Sequence, residues 1–173
     1  MTGSTRSRSA NSAALATAAA LAPAGVTAVL YDGLAGLPAF NPDHDGDLLP
    51  DEPARLRQQI EAADAVLFCT PEYAGTLPGS FKNLLDWTVG GGQLYGKPAA
   101  WINVAAEGRG QGAADALGSV LGYVGADIVG VACRRVPVDR AAIGPDGTVA
   151  DPRFAAEVAG VWEALLGHLD KES

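Results

Sequence analysis

Cysteine is scarce in this 173-residue chain. Cys69 and Cys133 are the only two, each lies inside or at the end of an apolar run, and neither belongs to a CxxC pair. They make no disulfide framework, and the expectation is two buried, reduced thiols in a reducing compartment. Histidine is limited to His44 and His168, with no partners at metal-ligand spacing. Both are read as surface residues and no metal site is expected. Basic residues are outnumbered, 12 Lys+Arg against 20 Asp+Glu, for a formal net charge of −8. That balance disfavours nucleic acid and anionic membranes as partners. No stretch is long and apolar enough to span a bilayer. Arg6 and Arg8 ahead of an alanine-rich stretch ending at Ala22 have the outline of a secretion signal, cleaved beyond Ala22. The stretch holds only two leucines, with Ser12 and Thr17 inside it. That is a weak apolar core for a signal, so a cytoplasmic chain is expected.

What is present suits one globular domain over residues 1–173: 48% hydrophobic and 18% charged residues, in a length that supports a sizeable core. Apolar runs recur at Val26–Leu30, Ala65–Thr70, Ala99–Val104 and Ile128–Cys133. They are continuous rather than alternating, as in strands covered on both faces of a parallel sheet. Helical stripes separate them. Leu15, Ala18, Ala19 and Ala22 share one face; Leu56, Ile60 and Ala63 another; Phe81, Leu84 and Leu85 a third; Leu117, Val120, Leu121 and Val124 a fourth. The last helix is signalled by Asp151 as cap, Pro152 in its first turn, and an apolar face of Phe154, Val158, Val161, Trp162, Leu165 and Leu169. Gly144-Pro145-Asp146-Gly147 between Ile143 and Val149 predicts a small hairpin. Pro38–Pro53 reads as a surface loop whose Asp43, Asp45 and Asp47 are solvated charge rather than a calcium site. The alternation of strands and helices predicts a doubly wound, three-layer α/β/α fold, with ligands at the carboxyl ends of the strands.

Three loops fall on that edge. Gly3–Asn11 (GSTRSRSAN) offers hydroxyls, two arginines and backbone N–H groups at a helix start, the chemistry that phosphate requires; a frayed Ser/Arg tail would have the same composition. Pro71–Gly79 follows a buried strand, and its two prolines and two glycines impose an unusual backbone path beside an aromatic edge, suited to a flat heterocycle. It equally fits a tight loop into the next helix. Ala105–Gly112 contains GxG near a dinucleotide fingerprint but lacks the acidic ribose partner, and reads best as a flexible glycine loop covering a ligand. Trp87 and Trp101 are expected in the core.

GSTRSRSAN, the block ADAVLFCTPEYAGTLPGSFKNLLDW and a glycine-rich loop after AWINV together resemble the NADPH-dependent FMN reductase family. It includes quinone, chromate and azo-dye reductases on a flavodoxin-like fold. The resemblance implies an FMN phosphate site at Ser4, Arg6, Ser9 and Asn11. It implies an isoalloxazine loop at Pro71, Glu72, Tyr73, Ala74 and Gly75, and a second ring-edge loop including Ala105, Glu107, Gly108 and Gly110. It implies NADPH or NADH as hydride donor, a small acceptor such as a quinone, flavin, azo compound or metal oxyanion, and a homodimer or homotetramer. No acid, base or nucleophile is required of the protein. A non-enzymatic flavodoxin-like electron carrier is the alternative. The sequence departs from the family in three places. Ala74 replaces a common asparagine, Gly118 stands where arginine is frequent, and only Met1-Thr2 precedes the phosphate loop where the family has an apolar strand. That strand would be central in the order 2-1-3-4-5 and worth roughly 5–12 kcal/mol of apolar burial, so a translation start further upstream is expected.

Overall fold

The structure is a computed structural model that describes residues 1–46 and 49–172; Asp47, one of the loop aspartates above, lies outside the described residues. In chain order the elements are α1 (Ala10–Ala20), α2 (Asp51–Glu61), β1 (Val66–Phe68), α3 (Gly79–Asp86), β2 (Pro98–Asn103), α4 (Gln111–Tyr123), β3 (Asp127–Ile128), β4 (Arg134–Arg135) and α5 (Pro152–Glu172). All strand pairs are parallel. β2 is central, with β1 on one edge and β3 and β4 in succession along the other. β3 and β4 are one sheet edge interrupted by a 3-10 turn over Gly130–Ala132, so the apolar run Ile128–Cys133 is a broken strand rather than a continuous one.

Two apolar layers sandwich the sheet. Leu56 and Ile60 of α2, Phe81, Leu84 and Leu85 of α3 and Leu117 and Leu121 of α4 pack on one face. Ala13, Ala14, Leu15 and Ala18 of α1 and Phe154, Val158, Val161 and Leu165 of α5 cover the other. The flavodoxin-like α/β/α arrangement is therefore present. Its cause is visible in β2, whose Ala99, Ala100 and Ile102 are all under 2% exposed. Side chains on both pleat faces are covered, so strict apolar continuity replaces alternation.

The predicted cap of the last helix holds: Asp151 caps α5 by accepting from the Arg153 N–H at 2.9 Å. The structure adds a second cap, Ser9, which accepts from the Ser12 N–H at 3.0 Å at the start of α1. The Gly144–Gly147 turn closes a short hairpin, with Ile143 bridged to Val149. Trp87 is fully buried and meets Phe40 edge-on at 5.0 Å, while Trp101 is only partly covered.

Two expectations are corrected. Among the described residues Val26–Leu30 forms no strand and pairs with none, and Val29 and Leu30 remain exposed. β-propensity alone does not make a strand when no neighbour completes the ladder. The Pro38–Pro53 segment is not wholly a solvated loop either: Asp51–Pro53 open α2, with Pro53 buried. Asp45 forms an ion pair with Arg57, with only 11% and 12% of the two side chains exposed. The first residues do pair with the sheet. Thr2 bridges Cys69 in parallel, the Cys69 N–H donates to the Met1 carbonyl at 3.1 Å, and the Gly3 N–H donates to the Cys69 carbonyl at 2.8 Å.

Candidate functional site

The three loops picked out in the sequence meet at the carboxyl ends of the strands. The first leaves the Thr2–Cys69 bridge at Gly3. A Cβ at Gly3 would lie 2.1 Å from the Thr70 hydroxyl and 2.9 Å from the Phe81 ring, so only glycine lets this loop press against the end of β1. The chain then turns through Arg8, whose φ of 56° is left-handed, into the Ser9 cap of α1. Ser4, Ser9 and Asn11 are buried while Thr5, Arg6, Ser7 and Arg8 are exposed. The Ser4 hydroxyl accepts from the Arg6 N–H at 3.3 Å. Asn11 turns its side-chain carbonyl inward to accept from the Cys69 thiol at 3.3 Å, which ties α1 to the strand end. Burial pushes that thiol up to about 12, so it stays protonated and unreactive.

Among the described residues, the backbone N–H groups of Thr5, Ser7, Arg8, Ala10 and Asn11 meet no acceptor within the chain. Free donors on a tight turn at the positive end of an 11-residue helix form a concavity suited to an anion.

The second loop is a narrow reverse turn. Tyr73 and Thr76 exchange both backbone hydrogen bonds at 3.0 and 3.1 Å, and the central residues Ala74 and Gly75 have φ of 50° and 77°. This is the two-residue turn that favours Asn-Gly, and alanine in it is strained. Ala74→Asn is therefore expected to raise stability by about 0.5–1 kcal/mol, read as a higher urea midpoint at unchanged slope. No shift in midpoint would sink the claim of strain. Tyr73 is 56% exposed and stands on the rim rather than in the core.

Glu72 does not stand free. Its carboxylate accepts from the Ala113 N–H at 3.2 Å, in the first turn of α4, where a negative charge is favoured. Gly112 packs so tightly here that a Cβ would lie 2.0 Å from the Gly75 carbonyl and 3.1 Å from the Glu72 carboxylate. Loops two and three are thus locked to each other through Glu72 and Gly112.

The third loop is held from below by a residue that sequence reasoning missed. Asn103, buried at the end of β2, donates its amide to the Gly110 carbonyl at 2.9 Å and accepts from the Ala105 N–H at 3.1 Å. Gly110 has φ of 81°, and a Cβ there would strike Asn103 at 2.5 Å. The signal available was a polar residue breaking the apolar run AWINV at its carboxyl end. Gly108 is left-handed and exposed. Glu107 is exposed and lines a separate cavity of about 540 Å³ with Pro137–Arg140 and Arg153. Among the described residues no cluster of His, Cys, Asp or Glu could hold a metal, and no helix is long and apolar enough to cross a membrane.

The family model described as NADPH-dependent FMN reductase matches residues 1–134. An NAD(P)H-dependent FMN reductase of Pseudomonas aeruginosa is 43% identical over 108 residues, 61% of this chain and 58% of that protein. A 2-hydroxy-1,4-benzoquinone reductase of a Burkholderia species is 38% identical over 106 residues, 60% of this chain and 57% of that one. The match thus spans less than three fifths of these curated relatives. Among solved structures, the flavoenzyme NAD(P)H:(acceptor) oxidoreductase FerB of Paracoccus denitrificans superposes with a TM-score of 0.85 at 31% identity, covering 99% of this chain and 95% of that one.

Proposed function

The chain belongs to the NADPH-dependent FMN reductase family, and from that premise we propose that it is an NAD(P)H-dependent flavoprotein passing electrons through FMN to a small acceptor, a quinone or azo compound. FMN, when bound, supplies the exchange of hydride for single electrons or a second hydride; the protein supplies position and electrostatics. The reading is carried by the concave turn of unbonded N–H groups over Thr5–Asn11, where a phosphate monoester finds donors already aimed and a helix start behind them.

In this reading Ser4, Arg6 and Ser9 line the phosphate site, with Arg6 as its mobile cation and Asn11 contributing its N–H, since its side-chain carbonyl is engaged by Cys69. Pro71, Glu72, Tyr73, Ala74 and Gly75 form one edge of the ring site. Ala105, Gly108 and Gly110 form the other, with Glu107 contributing backbone only. Glu72 is a positioning residue. By holding Ala113 it sets the spacing between the two ring loops. Glu72→Ala is expected to weaken FMN binding about tenfold, the size of one lost charge-assisted hydrogen bond. Glu72→Gln keeps an acceptor and should stay within about threefold. Quenching of flavin fluorescence reads both, and equal losses in the two variants would show that the charge rather than the tie is at work.

The whole reading is tested by the visible spectrum of the purified chain, taken with and without added FMN and then with NADPH in the absence of air. The expected result is a yellow protein that releases FMN on denaturation and bleaches on addition of NADPH. A flavin-loaded chain that ignores NADPH and NADH, yet accepts electrons from a protein donor, would instead make it an electron carrier. We place it in the cytoplasm, as one domain that pairs with a second copy; exposed Tyr95 and Tyr123, 80% and 92% accessible, suit such a contact. Light scattering on a size-exclusion column checks the pairing, and a single-chain mass would refute it.

A further inference from the structure

The cavity of about 540 Å³ shares Ala106 and Glu107 with the third loop, and its size suits a nucleotide rather than a bare ion. Pro137, Val138, Ala142 and Val149 give it an apolar lining, to which Arg140 and Arg153 add positive charge. Two of its three carboxylates are engaged. Asp139 accepts from the Ala141 N–H at 3.0 Å. Asp151 accepts from the Arg153 N–H at 2.9 Å and pairs with its guanidinium at 3.2 Å. Arg135 donates to the Ala106 carbonyl at 2.8 Å, so a further cation braces the wall shared with the third loop. The placement of unpaired positive charge points to the same edge. The chain carries a net charge of −8. Among the described residues Arg6, Arg8, Arg109, Arg140 and Lys171 have side chains with neither an ion pair nor a hydrogen bond. Lys171 lies in the last turn of α5; the other four stand in segments that leave the carboxyl ends of the strands. Such a patch attracts anions against the charge of the whole molecule.

We propose that this cavity receives the adenosine end of the hydride donor and that Arg140 binds its 2′-phosphate, so that the chain uses NADPH in preference to NADH. The inference rests on the reductase reading and adds to it a site and a selectivity. The third loop is common to the ring site and the cavity, so a ligand that occupies both must be long. A dinucleotide has that length, with a flat heterocycle at each end; a single-ring quinone that reacts at the flavin does not. The apolar lining suits the purine. A phosphomonoester carries close to two negative charges at neutral pH, and a planar guanidinium binds its oxygens in pairs. Arg140 is uncommitted and can do this, whereas Arg153 is already held by Asp151. NADH presents a neutral 2′-hydroxyl at the same place and gains nothing from the charge. Glu107 is the remaining carboxylate of the lining and opposes the phosphate, so its neutralisation should strengthen binding.

Calorimetric titration with 2′,5′-ADP and with 5′-AMP, in excess FMN, tests the cavity with probes that carry no nicotinamide and undergo no redox change. The bisphosphate is expected to bind at least about tenfold more tightly than the monophosphate, the size of one charge-assisted contact. Arg140→Ala should abolish that preference. Glu107→Gln should tighten 2′,5′-ADP binding by about two- to threefold, and Lys171→Ala, the same loss of charge at the far end of α5, should change it by less than about twofold. In anaerobic bleaching of bound FMN, Arg140→Ala should raise the apparent KM for NADPH about tenfold and leave kcat and the KM for NADH unchanged. Equal affinity for the two nucleotides, binding of neither at millimolar concentration, or equal losses from Arg140→Ala and Lys171→Ala would overturn the site. Loss of the preference through Arg6→Ala in place of Arg140→Ala would move the nucleotide to the turn over Thr5–Asn11 and overturn it equally. An unchanged KM ratio in Arg140→Ala would overturn the assignment to the donor. A chain that binds 2′,5′-ADP through Arg140 while its FMN stays yellow in NADPH would sink the reductase reading and leave the phosphate site standing.

Discussion

The chain beginning at Met1 is expected to gain roughly 3 kcal/mol of stability as pH rises from 5 to 8, most of the effect of a three-unit pKa change. The cause is the Met1 amino group. Desolvation by burial lowers its pKa from 8.0 to about 5, with the neighbouring Cys69 opposing. In this window the unfolded chain binds a proton that the folded chain rejects, so stability must increase with pH. Below about 5 both forms are protonated and above about 8 neither is, so the slope vanishes outside the window. The carboxylates held low in the fold titrate elsewhere. Asp32 is lowered by Arg55, Asp146 by the Thr148 backbone and hydroxyl, and Asp151 by Arg153. They favour the folded chain above their ordinary range near pH 4 and lose that effect in acid. Urea midpoints at half-unit steps measure the slope, and acetylation of the amino terminus should remove it. An acetylated chain with the same slope as the free one would assign the effect to another group.

Asp45→Ala is expected to destabilise by about 3 kcal/mol, in the range for stranding one partner of a covered ion pair. The Arg57 guanidinium would lose its carboxylate while its Nε still donates to the Trp87 carbonyl at 2.7 Å. Exchanging both residues, Asp45→Leu with Arg57→Met, should lose less than the single change, because no charge is then left desolvated. Equal losses in the single and double variants would show that Asp45 contributes by packing beside Gly90, where its carboxylate would lie 2.1 Å from an added Cβ. The pair also pins the Pro/Asp loop. The same loop is anchored a second time by the Pro38 carbonyl, which accepts from the Trp87 indole at 2.9 Å and from the Asn83 amide at 2.9 Å.

Asp45 illustrates why part of the molecule was not legible in advance. Alternating aspartates in a proline-rich loop read as solvent-facing charge, and nothing nearby in sequence identifies Arg57, on the following helix, as a buried partner. Glu72 and Asn103 are similar. Each belongs to a loop or strand end visible in the sequence, but its work is done on a backbone group elsewhere, Ala113 for Glu72 and Gly110 for Asn103. Such ties depend on where loops converge, which local pattern does not encode.

Sequence alone determined the alternation of covered strands and helices, the cap Asp151, and the three loops at the sheet edge. These follow from continuous apolar runs, 3.6-residue stripes and residues whose short polar side chains close helix starts, all of them local or periodic properties. The family resemblance followed from the ordered wording of those same loops. Tertiary structure decided that Val26–Leu30 is not a strand, because a strand requires a ladder partner and, among the described residues, none pairs with it, while Met1–Gly3 lies along the open edge of β1. It also decided that Glu72 is a tie between loops. Those outcomes depend on packing across the chain, where the deciding neighbour lies tens of residues away.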